Sequence, residues 1–123
     1  MNPKPFVLLT TIHVKPGCEE EFLSLVHPVN DTMRHERTFV NTVLNQSSDD
    51  HTLFMLHETW LDRDDFFLVQ MTRDYRQEYE ARLPALLREP REMKIFEPLR
   101  SDFVFQSGWH LSETNEGNKH EAS

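Results

Sequence analysis

The chain has 123 residues, 37% of them hydrophobic and 28% charged, and a formal net charge of −8 at pH 7. That length fits one domain around a single core. Its 13 basic residues lie scattered among 21 acids, which argues against nucleic acid and against an anionic membrane surface as partners.

The opening "MNPKPFVLLTTIHVKPG" lacks the apolar core and small-residue cleavage site of a secretion signal, and no later run reaches the length of a membrane span. Within it "FVLLTTIHV" (6–14), rich in Val, Leu, Ile and Thr, reads as strand one, and "KPG" (15–17) breaks it. Cys18 is the only cysteine, so no internal disulfide forms and a reducing, cytoplasmic setting is expected. The acids of "GCEEEF" make it a poor nucleophile. Helix one runs from Cys18 to about Glu36, with Phe22, Val26, Val29 and Met33 on one face and a kink expected at Pro28. His27, Asp31 and His35 recur on the opposite face. A solvated polar face accounts for them, and no metal site is expected.

"TFVNTVLNQS" (38–47) and "TLFMLHETW" (52–60) flank the turn "SDDH" (48–51), the pattern of a hairpin of strands two and three. Asp62 caps a short helix ending near Met71, with Asp65 three positions on as in a capping box. A further helix from about Thr72 carries Tyr75, Tyr79, Leu83 and Leu86 on one face. "REMKIFEP" (91–98) is strand four. "DFVFQSGWHL" (102–111) is a candidate fifth strand, anchored by Trp109 and suited to a partner's sheet edge. The polar, aperiodic "SETNEGNKHEAS" (112–123) is expected to be disordered. The single domain then spans 1–111, with its core over about 6–99.

The order β-α-β-β-α-β predicts a ferredoxin-like α+β sandwich. Strand one offers Phe6, Leu8 and Ile12 to one face but Val7 and Leu9 to the other, and strand three sets Phe54 and Leu56 against Leu53 and Met55. Strands apolar on both faces need cover on both, and the helices supply one layer. A homodimer packed sheet to sheet is therefore expected. His13 and His57 point away from the helical side, and neighbouring strands would bring them close at that interface.

Beside this reading stands a resemblance. The element order, "HVKPGCEEEFLSLV" leading into helix one, the E-x-W of Glu58 and Trp60 ending strand three, and "LPALL" followed by "KIFEPL" resemble the antibiotic-biosynthesis monooxygenase superfamily, nearest to its quinol monooxygenase-like branch. The likeness covers about Phe6 to Leu99. It implies a dimeric α+β barrel with a pocket in each subunit between sheet and helices. It also implies oxygenation of electron-rich aromatics such as quinols by dioxygen, with no metal, flavin or other cofactor. Other relatives degrade haem or isomerise a sugar phosphate, so fold alone does not fix function. Val69 and Asp74 stand where many relatives carry histidines. Thr10, Val69 and Tyr79 replace the Asn, Trp and His of the haem-degrading branch, and Leu56 replaces an Asn of the aromatic-polyketide branch, which keeps the tryptophan matched by Trp60.

Alternation along strand three sends Glu58 and Trp60 to the face of Phe54 and Leu56, which the resemblance makes the pocket face. A carboxylate in an apolar cleft is disfavoured in its charged form, which raises its pKa toward the range of a general base. Glu58 is thus the candidate catalytic base, with Trp60 stacking on the substrate. Thr10, Leu56, Phe66, Val69, Tyr75 and Tyr79 are the candidate substrate-binding residues. The expected substrate is a small hydrophobic aromatic, with dioxygen as co-substrate. The alternative is a dimeric binding or regulatory module that kept the pocket and lost the chemistry. P-loop, dinucleotide fingerprint and nucleophile elbow are absent from the sequence.

Overall fold

Period-two burial organises the sheet. In strand β1 (Phe6–His13) and strand β3 (Leu53–Trp60) every second residue is buried. The two pair antiparallel, with Phe6 opposite Trp60, Leu8 opposite Glu58 and Thr10 opposite Leu56. Strand β2 (Phe39–Gln46) flanks β3 across a register shift at Phe39/Asn41, and strand β4 (Glu92–Phe96) flanks β1, giving the order β2-β3-β1-β4 with every pairing antiparallel. The computed structural model describes residues 3–104. Residues 102–104 belong to no strand, and the rest of the expected fifth strand, with Trp109 and the polar tail, lies outside the described residues.

Helix α1 (Glu19–Met33) follows a turn at Gly17, whose φ of 90° suits glycine. Three acids in its first turn favour the positive end of the helix dipole. Pro28 lies inside the helix without ending it. Phe22, Leu25, Val26 and Val29 pack with Ile12, Phe54 and Leu56 of the sheet, and with Tyr79, Leu83 and Leu86 of the last helix. A second cluster joins Met33 to Phe6, Leu8, Trp60 and Phe66.

Helix α2 (Arg63–Leu68) is capped by Asp62, whose Oδ1 accepts from the Asp65 backbone N–H at 3.1 Å. The reciprocal half of the expected box is absent: Asp65 Oδ2 accepts instead from Thr38 Oγ1 and Gln70 Nε2. The helix stops at Leu68, short of Met71, and two 3-10 turns (Gln70–Thr72 and Asp74–Arg76) follow. Arg73 between them is extended at φ −61° and ψ 143°, so helix α3 starts at Gln77, not near Thr72, and ends at Leu86.

The architecture is the α+β, ferredoxin-like arrangement expected. On the sheet face turned from the helical core, Val7, Leu9, Leu53 and Met55 remain only half-buried, and Val43 is exposed. On that face His13 sits opposite Leu53 and His57 opposite Leu9. Four residues of antiparallel register separate the two imidazoles by about 13 Å, so they are not neighbours within the chain. His13 instead lies 3.1 Å from Asp50 Oδ2 and 3.4 Å from Glu89 Oε2.

Candidate functional site

The inward residues Leu8 and Thr10 of β1 and Leu56 and Glu58 of β3 form the floor of a cavity under α1. Val29 and Met33 of α1 cover it, Arg76 and Tyr79 close one side, and Arg91 and Met93 at the β4 edge form the rim. Its volume is about 20 Å³, room for a water molecule but not for an aromatic ring.

Glu58 is 5% exposed. Its Oε1 accepts a 2.9 Å hydrogen bond from Trp60 Nε1. It takes part in no ion pair among the described residues. Burial lifts its pKa above the ordinary 4.5, against the opposing pull of the Trp60 bond and the charges of Arg76 and Arg91. The result is a carboxyl group that holds its proton to higher pH than an exposed glutamate does. Tyr79 is buried, which pushes its pKa up to about 12, so at neutral pH its phenol stays protonated and able to donate.

Two arginines, neither expected from the sequence, complete the lining. Arg76 is 5% exposed, with its guanidinium carbon 5.7 Å from the centre of the Phe66 ring. Arg91 reaches both carboxylate oxygens of Glu80, at 2.6 and 3.2 Å. One signal was available: Arg76, Tyr79, Leu83 and Leu86 recur at helical spacing, so a cation falls on the buried stripe. Met93 carries no comparable pattern, because β4 is exposed along its whole length, and half-buried Arg91 precedes that strand.

Thr10, Leu56, Glu58 and Tyr79 come together on this cavity, whereas Trp60, Phe66, Val69 and Tyr75 do not line it. Trp60 is fully buried beside Phe66 and Phe39, with ring centres 5.0 and 5.3 Å away, and stands off the cavity lining, bonded to Glu58. Phe66 is fully buried in the same cluster. Val69 is 38% exposed. Continued helix would put it on the stripe of Phe66, but the chain leaves the helix there at φ −119°. Tyr75 donates its hydroxyl to Glu36 Oε2 at 3.0 Å. Among the described residues, no three His, Cys, Asp or Glu side chains gather as a metal site would require.

A sequence model of the family described as antibiotic biosynthesis monooxygenase matches residues 5–78. No curated protein matches the chain. Among solved structures, Rv0793 from Mycobacterium tuberculosis is 18% identical with a TM-score of 0.73, over 80% of this chain and 98% of that one. PA3566 from Pseudomonas aeruginosa is 22% identical with a TM-score of 0.72, over 81% and 99%. A mutant of SnoaB, a cofactor-independent oxygenase from Streptomyces nogalater, is 19% identical with a TM-score of 0.67, over 80% and 96%. At such identities the likeness is one of fold.

Proposed function

The chain belongs to the antibiotic biosynthesis monooxygenase family, and on that premise we propose that it oxidises a small hydrophobic aromatic such as a quinol with dioxygen, using no metal, flavin or other cofactor. The observation that carries this reading is Glu58: buried, raised in pKa and facing the cavity. Its carboxylate takes the phenolic proton of the quinol, leaving an anion electron-rich enough to reduce dioxygen. The quinol supplies all the electrons. One oxygen atom ends in a hydroxylated quinone and the other leaves as water. Thr10 and Tyr79 offer hydroxyl groups to the ring oxygens, and Leu56 packs on the ring. Trp60 acts from behind, holding Glu58 Oε1 and keeping water from that side.

A ring enters only when the cavity opens beyond its 20 Å³. Met93 is the suited gate, since it lines the rim, is 36% exposed, and has an unbranched, adaptable side chain. We further propose that the chain works as a homodimer in the cytoplasm, the half-buried sheet face being covered by a second copy. The same small cavity, with Val69 exposed and Asp74 in a 3-10 turn, supports the second reading: a binding or regulatory module without chemistry.

The deciding experiment mixes purified, metal-free protein with a reduced quinol under air and follows oxygen uptake and quinone absorbance. Turnover above autoxidation that Glu58→Gln abolishes is the expected result. Ligand binding with no turnover at any pH sinks the enzyme and favours the module.

A further inference from the structure

Two guanidinium groups share a single carboxylate beside this cavity. Arg91 engages both oxygens of Glu80. Arg76 is left with a 3.6 Å approach of Nη2 to Glu80 Oε2 and a 3.6 Å approach of Nη1 to Met33 Sδ, a weak acceptor. Its Nε is buried and has no hydrogen-bond partner among the described residues. A cation held so loosely and so far from water is costly.

The other carboxyl group on the cavity feels the charge of both arginines but does not reach Arg76 for a direct pair. Glu58 forms no ion pair with either arginine, and burial disfavours its charged form. Among the described residues Glu80 is the one carboxylate that pairs with either arginine, so two guanidinium groups on the cavity lining share a single negative partner. The unpartnered Nε and the loosely held Nη2 share one edge of the guanidinium plane, the edge that receives both oxygens of a carboxylate.

We propose that the cavity takes an aromatic ring bearing a carboxylate, and that Arg76 determines this specificity through a two-pronged hydrogen bond to that group. The inference rests on the cavity being the substrate site, and narrows the substrate to a quinol with an acidic substituent. Glu58 then works on the phenol while Arg76 fixes the far edge of the ring. A bidentate grip sets the rotation of the ring in its plane, which a hydrophobic slot alone does not.

The test compares 1-naphthoate with 1-naphthylmethanol, a neutral molecule of similar shape, by isothermal titration calorimetry near neutral pH and at low salt. Naphthoate is expected to bind at least about tenfold tighter to the unaltered protein. Arg76→Met removes that preference, read as the ratio of the two affinities within each variant, and Arg76→Lys restores part of it as a point charge. Arg91→Gln, on the more exposed rim, gives Glu80 wholly to Arg76 and also lowers the preference, so the test survives a poorly folding Arg76 variant. Equal affinity for the two probes, a preference that persists in Arg76→Met, or no binding of either at millimolar concentration overturns the proposal. Oxygen uptake with a neutral quinol is read separately. Turnover with no preference for the anion sinks this inference alone, and anion preference with no turnover of any quinol sinks only the oxygenase.

Discussion

Trp60 Nε1 donates a 2.9 Å hydrogen bond to Oε1 of Glu58, two residues back on the same inward edge of β3. The indole therefore serves the carboxylate, and its ring serves the core through Phe39 and Phe66. Trp60→Phe removes the donor and leaves a void, and is expected to cost about 2–4 kcal/mol in urea denaturation. The rising limb of any pH–rate profile should also move to higher pH, because the lost bond had favoured the ionised acid. A loss under about 1 kcal/mol with an unmoved limb rules out that pairing.

Glu58 also sets a pH dependence of stability. Its folded pKa lies above the ordinary 4.5 because burial disfavours the anion. Between those two values the folded protein keeps a proton that the unfolded chain releases, so stability falls as pH rises. The contribution is fully present below 4.5 and fades as pH rises through the folded value. Glu58→Gln keeps an acceptor for Trp60 but cannot ionise. Its melting temperature should gain on the parent as pH is raised from about 4.5 to about 8. A difference that stays flat across that range is the contrary result.

The half-buried sheet face makes the assembly testable. Leu9 lies on it opposite His57. The 14.7 kDa chain should sediment at twice its mass at micromolar concentration, and Leu9→Lys should sediment as a monomer with its secondary structure retained. A parent that is monomeric at that concentration refutes the sheet-to-sheet dimer.

Met93 controls access if the rim is the way in. Because it is 36% exposed, Met93→Ala should change stability by no more than about 1 kcal/mol. It should lower KM for a bulky quinol several-fold and leave kcat nearly constant. An unchanged KM places the entrance elsewhere.

How far the site was legible depended on which part of it is local. Period-two alternation alone sends Glu58 and Leu56 inward. It also sends Trp60 inward, but two residues advance about 7 Å along a strand, enough to carry the indole past the cavity into the cluster of Phe6 and Phe66. Val69 lies off the cavity because helix α2 ends a residue earlier, at Leu68.

What the sequence determined by itself is what chain periodicity dictates: the element order, the two-faced strands, the cap at Asp62 and the inward turn of Glu58. These depend on backbone geometry and nearest neighbours, which are written along the chain. Tertiary structure alone decided that Arg76, Arg91 and Glu80 share one charge balance beside Glu58 and that the enclosed space is only water-sized. Arg76 and Glu80 stand four residues apart, a spacing visible in the chain, but the share Arg91 takes in that carboxylate and the cavity volume depend on how separate elements pack, which no local pattern encodes.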